Sequence, residues 1–281
     1  MSQNLLNLSD LKEQDILELI ELANNFKSED LLEYRHENLF PDKKVASIFC
    51  EPSTRTKLSF EIASCNLGAT FVDFNIENSS IQKGETIEDT VEAMMLMGID
   101  LCILRHAKSV IHDLAHAFPS MQFINAGEGA IAHPSQALLD LMTIKESKET
   151  FKDLKITIVG DLDHSRVVSS FLEAIQIVGY KSLTFCGHPD LCKTFLENPV
   201  GNFEPELDIA LQDADVIIAL RIQNERLTEK LSISAEDYIE RYQINIDTLQ
   251  AASSDAILLH PGPVNFGIEL NKDVSDLENC K

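Results

Sequence analysis

The chain is short of positive charge, of paired cysteines and of long apolar runs, and each shortage excludes something. Lys and Arg number 23 against 46 Asp and Glu, a formal net charge of −23. Nucleic acid and anionic membrane surfaces both demand a basic face, so neither is an expected partner. No stretch approaches the roughly 18–20 apolar residues of a membrane span. The first fifteen residues, MSQNLLNLSDLKEQD, have no basic start and no apolar core, so no signal peptide is expected. Cys50, Cys65, Cys102, Cys186, Cys192 and Cys280 form no C-x-x-C pair, which suits a reducing cytoplasm. Cys50 and Cys102 lie in apolar runs and read as small buried side chains. Both G-x-x-x-x-G-K-[ST] and G-x-G-x-x-G are absent, which removes the two commonest signatures of nucleotide binding.

What is present is regular. A chain of 281 residues with 44 % hydrophobic content can bury two cores. Ser9 is a candidate cap for a helix with the stripe Ile16, Leu19, Ile20, Ala23. Apolar runs at Val45–Cys50, Thr70–Phe74, Leu101–Arg105 and Met121–Asn125 read as strands, with helices over Thr54–Leu67, from Glu88 to Met97, and after Pro134. The pattern restarts with strands at Lys155–Gly160, Leu183–Cys186, Val216–Leu220 and Ala256–His260 and a helix over Arg166–Val178. Strands alternating with helices imply an α/β fold of two domains, each a parallel sheet flanked by helices. Polar Lys145–Thr150 marks the boundary, giving domains 1–147 and 148–281. Ligands of such sheets sit at the carboxyl ends of the strands.

The residues there are of one kind. Ser53-Thr54-Arg55-Thr56 opens a helix with backbone N–H groups, hydroxyls and a guanidinium, either a phosphate-type anion site or a plain Ser cap with a solvent-facing Arg. Arg105-His106 closes an apolar run, where a buried guanidinium needs an anion. His133 and Gln136 are spaced to share one helix face; a satisfied cap histidine is the alternative. Asp161 ends a strand and Arg166 opens the next helix. Arg221 and Gln223 follow another strand, with Arg226 beyond them, and His260-Pro261-Gly262-Pro263 forms a rigid turn whose carbonyls can face a ligand. His112 and His116, four apart, lack a third ligand, and Cys186, His188 and Cys192 lack zinc-ribbon spacing, so no metal is expected.

Taken in order with Lys83-Gly84-Glu85-Thr86, these motifs resemble the transcarbamylase family over roughly residues 5–270, most closely its aspartate-carbamoylating branch. The resemblance implies an active site in the interdomain cleft and no cofactor. Carbamoyl phosphate would be held by Ser53, Thr54, Arg55, Thr56, Arg105, His133, Gln136, Gly262 and Pro263. Of these, Arg55, Thr56, Arg105 and His133 would serve catalysis. L-Aspartate would be gripped by Lys83, Arg166, Arg221 and Gln223. Glu51 would pair with Arg166 and Arg226 on domain closure, a solvated carboxylate being the alternative. Ser80 and Lys83 would come from a neighbouring subunit of a homotrimer, in a cytoplasmic enzyme of pyrimidine biosynthesis. Whether a regulatory chain also binds stays open.

The chain departs from the family pattern in two places. Family members carry Pro-Val-Asn-Arg-Gly after the last turn, whereas Pro263-Val264-Asn265-Phe266-Gly267 stands here, so aspartate affinity or closure is expected to differ. The family also continues into a long terminal helix beyond the point matching Lys281; without it, exposed apolar surface and a looser hinge are expected. Three other functions remain: a transcarbamylase using ornithine, a catalytically silent scaffold, and a nucleotide-binding α/β domain. Ornithine would call for an acidic residue and a Cys near the last turn, and Gly262 stands between the prolines instead. The intact anion-binding motifs argue against the scaffold, and the missing Gly-rich turn against the nucleotide site.

Overall fold

Two four- to five-stranded parallel sheets, each built from buried strands that alternate with helices, organise the chain. The computed structural model describes residues 4–27, 38–129, 131–197, 200–223, 227 and 231–281. It divides into two compact units, Met1–Leu138 and Leu139–Lys281. The division falls inside helix α5, Pro134–Ser147.

Unit 1 starts with helix α1, Glu13–Lys27. The helix begins four residues after the expected cap: Ser9 lies in a turn closed by Leu11 N–H donating to the Leu8 carbonyl at 2.9 Å. The helix start is instead served by Asp15, whose carboxylate accepts the Lys12 N–H at 2.9 Å. The sheet runs β2-β1-β3-β4, with β1 Lys44–Phe49, β2 Thr70–Phe74, β3 Leu101–His106 and β4 Gln122–Glu128. Helices α2, Thr54–Asn66, α3, Ile87–Leu96, and α4, Ile111–Ala117, make the crossovers. Side chains alternate across the strands. Ala46, Ile48, Cys102, Leu104 and Phe123 pack with Val91, Ile111 and Leu114 in one cluster, while Val45, Ile103 and Ala126 form a second. Both faces of the central strands are therefore apolar, as a covered parallel sheet requires. Cys102 is buried as expected, but Cys50 is exposed. The reason is that β1 ends at Phe49, which leaves Cys50 in the turn.

Unit 2 runs β7-β6-β5-β8-β9, all parallel. Its strands are β5 Lys155–Val159, β6 Ser182–Cys186, β7 Asn202–Phe203, β8 Val216–Ala219 and β9 Ile257–Leu259. Helix α6, Arg166–Val178, turns Phe171, Ala174, Ile175 and Val178 into the core. Three short helices follow: α7 Leu207–Ala210, α8 Ala235–Tyr242 and α9 Ile246–Leu249. Among the described residues no helix is long and apolar enough to cross a membrane.

The end of β5 is held against β8 by one glycine. Gly160 has φ +122°, and a Cβ there would lie 2.3 Å from the Leu220 carbonyl oxygen. Gly160→Ala therefore meets both backbone strain and a backbone clash that no rotamer relieves. Urea unfolding is expected to show a loss of about 3 kcal/mol or more; an unchanged midpoint would contradict this account of the β5–β8 junction.

Candidate functional site

Each sheet has one point where the strand order reverses, and the polar residues of interest collect there. In unit 1 the order grows outward from β1 to β2 on one side and to β3 on the other. The register places Phe49 beside Arg105, and Cys50 N–H donates to the Arg105 carbonyl at 2.8 Å. The turn after β1 and the last residues of β3 are thus neighbours by hydrogen bonding.

That turn leads into α2. Ser53 is its cap residue in extended conformation, yet its side chain accepts no bond from the helix amides. The first-turn N–H groups of α2 are left without a side-chain partner, with the positive end of the helix dipole behind them. Ser53 and Thr56 are half-buried and Thr54 and Arg55 exposed, so hydroxyls and one guanidinium border this start.

Arg105 is only 9 % exposed. A register irregularity between Leu104 and His106 falls at this residue, the kind of break that re-aims a side chain. Its Nη1 donates to the Ala126 carbonyl at 3.4 Å and its Nε lies 3.4 Å from Glu51 Oε2. The anion that a buried guanidinium requires is therefore supplied in part by Glu51, within unit 1. The resemblance pairs Glu51 instead with Arg166 and Arg226; Arg226 lies outside the described residues.

The β4 end brings in a third group. Gly129 N–H donates to the His106 carbonyl at 2.9 Å, which ties the loop after β4 to the end of β3. The loop delivers His133, 7 % exposed, to the position just before α5, with Gln136 in the first turn. The His133 carbonyl accepts the Gln136 N–H at 3.1 Å, and Ser135 Oγ lies 3.4 Å from His133 Nδ1. Beyond β2, Ser80–Lys83 forms a short 3₁₀ turn ended by Gly84. Ser80 and Lys83 are both exposed on it. Cys50 sits beside this cluster, but the surrounding protein and then the Glu51 charge push its thiol up to about 11. At neutral pH it is a protonated thiol and not a nucleophile.

In unit 2 the order reverses between β5 and β8. After β5 comes Asp161, 0 % exposed. Its Oδ1 accepts from His164 Nδ1 at 2.7 Å, and its Oδ2 from the Gln223 N–H at 3.0 Å. Gln223 Nε2 in turn donates to the His164 carbonyl at 2.8 Å. One carboxylate therefore fixes the loop after β8 against the turn that opens α6. Arg166 is the first residue of that helix and 8 % exposed. Arg221 is half-buried, with Nη1 donating to the Ile222 carbonyl at 3.3 Å. Two guanidiniums and an amide at one switch point suit carboxylate oxygens. The neighbouring β9 ends at Leu259, followed by His260, Gly262 (φ +66°) and the cis-linked Pro263. Phe266 stands on the same loop, 51 % exposed.

Sequence reading named most of the cationic groups and missed the carboxylates that fix the loops around them. Glu128 is one: it accepts the Val110 and Ile111 N–H groups at 2.5 and 2.9 Å and caps α4. Glu269 and the role of Asp161 are others. The only signal was a carboxylate at or beyond a strand end. Among the described residues no three His, Cys, Asp or Glu side chains are grouped to hold a metal. His112 is engaged by Asn7, 3.1 Å from Nε2 to Oδ1.

Residues 3–146 match the family model "Aspartate/ornithine carbamoyltransferase, carbamoyl-P binding domain". Residues 152–281 match "Aspartate/ornithine carbamoyltransferase, Asp/Orn binding domain". The aspartate carbamoyltransferase catalytic subunit of Koribacter versatilis is 41 % identical, over 98 % of this chain and 89 % of its own. That of Caldanaerobacter subterraneus subsp. tengcongensis is 38 % identical, over 98 % and 90 %. Aspartate transcarbamoylase from Trypanosoma cruzi, solved with carbamoyl aspartate and phosphate, superposes with a TM-score of 0.84 at 27 % identity, covering 98 % of this chain and 88 % of that one. Ornithine carbamoyltransferase from Pyrococcus furiosus superposes at 0.82 with 28 % identity, covering 99 % and 90 %.

Proposed function

The chain belongs to the aspartate/ornithine carbamoyltransferase family, and from that membership we propose that it transfers the carbamoyl group of carbamoyl phosphate to L-aspartate. The products are N-carbamoyl-L-aspartate and phosphate. Residues 1–147 serve carbamoyl phosphate and residues 148–281 serve aspartate. The observation that carries the reading is the β1–β3 register, which sets Arg105 beside Phe49 and the turn that leads into α2.

A phosphate dianion suits the α2 amides, the hydroxyls of Ser53, Thr54 and Thr56, and the guanidiniums of Arg55 and Arg105. His133, Gln136 and the Gly262–Pro263 turn take the carbamoyl end. Arg166, Arg221, Gln223 and Lys83 take the two carboxylates. The deprotonated α-amine attacks the carbonyl carbon, the new C–N bond forms, the C–O bond to phosphate breaks, and the departing phosphate accepts the amine proton. Charge gathering on the carbonyl oxygen is met by Thr56, Arg105 and His133. Phosphate is a good leaving group, so the step needs no covalent nucleophile, consistent with the raised Cys50 thiol. Holding two anions side by side, against mutual repulsion and water, supplies most of the acceleration. As the family resemblance implies, Glu51 pairs with Arg166 and Arg226 on closure, which keeps the site dry.

The enzyme acts in the cytoplasm, in pyrimidine biosynthesis, as a homotrimer whose subunits lend Ser80 and Lys83 to a neighbour. Support for association comes from unit 1. Leu58 and Ile62 of α2 are 49 % and 57 % exposed, and Val72 on edge strand β2 is 40 % exposed. Lys83, also exposed, makes no ion pair among the described residues. A regulatory chain would be an additional partner.

The second ligand is aspartate and not ornithine because Asp161, the carboxylate at the unit 2 switch point, is occupied at both oxygens. Incubation with carbamoyl phosphate and either L-aspartate or L-ornithine tests this. Carbamoylated aspartate with one phosphate per turnover is expected. Product from ornithine alone overturns the substrate assignment, and product from neither favours a silent scaffold.

A further inference from the structure

The carboxylate of Glu269 lies in unit 2, six residues beyond the Gly262–Pro263 turn, and is 2 % exposed. Burying a carboxylate is costly unless hydrogen bonds repay it, and an apolar residue would fill the space at lower cost. Its partners are informative. Glu269 Oε1 lies 3.2 Å from His260 Nε2 and accepts the Asn265 N–H at 2.6 Å. The other nitrogen of the same imidazole, His260 Nδ1, accepts the Gly262 N–H at 2.8 Å.

These contacts fix the tautomer. Nδ1 receives an N–H and must present its lone pair, so the ring proton is on Nε2 and points at the carboxylate. A neutral imidazole offers one acceptor and one donor on opposite edges, which is what bridging an amide to a carboxylate requires. Pro261 and Pro263 have no N–H, so the Gly262 amide is the sole backbone donor between His260 and Val264. Gly262 has φ +66°, in the left-handed region, and glycine left unheld loses this conformation readily. The carboxylate itself is anchored, because the Glu269 carbonyl accepts the Ile244 N–H at 3.0 Å and Leu270 bridges to Ile244. Residues 260 and 265 are thus tied directly to one buried oxygen, and residue 262 is tied to it through His260.

We propose that Glu269 is a positioning residue for carbamoyl transfer, acting through His260 to hold the Gly262–Pro263 turn in the shape that meets the carbamoyl group. This rests on the function proposed above. Glu269 touches no substrate; its effect is on where two backbone carbonyls point. A misplacement of about 1 Å at such a contact costs on the order of a hundredfold in rate.

The test uses the full chain and three readouts. Glu269→Ala removes the acceptor and is expected to lower kcat about a hundredfold with the KM for aspartate little changed. Glu269→Gln keeps an acceptor oxygen toward His260 and is expected to retain activity within about tenfold of the parent. Hydrogen exchange at the Gly262 amide is expected to follow the same order, slowest with Glu and fastest with Ala. Nitrogen-15 NMR of the unmodified protein is expected to show His260 as the Nε2–H tautomer, a reading that needs no variant to fold. An unmodified protein that turns over while both variants keep its kcat overturns the proposal alone. So does a His260 protonated on Nδ1. An unmodified protein that forms no carbamoyl aspartate overturns both the proposal and the function on which it rests.

Discussion

Arg55→Ala is expected to lower kcat/KM for carbamoyl phosphate roughly a thousandfold and to leave the unfolding midpoint unchanged. The two halves of this expectation have separate causes. Arg55 is exposed in the first turn of α2 and its side chain makes no hydrogen bond or ion pair among the described residues. Its removal therefore strands no partner and opens no cavity, and exposed positions of this kind sit within about half a kcal/mol of neutral. The loss on the kinetic side follows from where the charge is placed. A guanidinium at a helix start adds charge-assisted donors to amides that Ser53 does not cap, and in the proposed site all of them address the same dianion. Arg105→Ala makes a useful contrast. It removes a buried cation from Glu51 and the Ala126 carbonyl, so stability and rate should fall together. Loss of stability without loss of rate in Arg55→Ala would contradict the placement of the phosphate site.

Two inactive variants, mixed and allowed to exchange subunits, are expected to regain about a quarter of full activity. The variants are Arg55→Ala and Lys83→Ala, each expected to be at least a hundredfold impaired alone. The quarter follows from counting. In the proposed trimer a complete site needs Arg55 from one chain and Lys83 from its neighbour. In an equal mixture half of the chains keep the first and half of the neighbours keep the second. Lys83 lies on the exposed turn after edge strand β2 and its side chain makes no bond among the described residues, so neither substitution should disturb folding. No recovery after confirmed exchange would mean that each chain builds its site alone, and the trimer with shared sites would have to be abandoned. Recovery well above a quarter would contradict the one-to-one sharing.

How much of this was legible in the sequence depends on the distance over which each residue acts. Strands such as Leu101–His106 announce themselves by apolar runs, because a sheet covered on both faces leaves no polar alternation. Arg55, Arg105, Arg166 and Arg221 were visible as charges closing or following those runs. Their supports were not. The Glu51–Arg105 pair depends on β1 and β3 being adjacent in the sheet, which strand order decides and local sequence does not. Asp161 was visible at its strand end, but its grip on Gln223 exists only because β5 and β8 are neighbours. Glu269 lies in an irregular segment with no periodicity to read. Two local readings also failed for local reasons. Ser9 looked like a cap, but the helix starts at Glu13, after Asp15 has taken the Lys12 amide. Cys50 looked buried because the apolar run includes it, yet the strand ends one residue earlier.

A crystal structure of the protein with carbamoyl phosphate bound addresses the central claim most directly. The phosphate group is expected against the first-turn amides of α2, within hydrogen-bonding distance of Ser53, Arg55, Thr56 and Arg105. Density for the ligand at any other place, or none there at saturating concentration, would contradict the account.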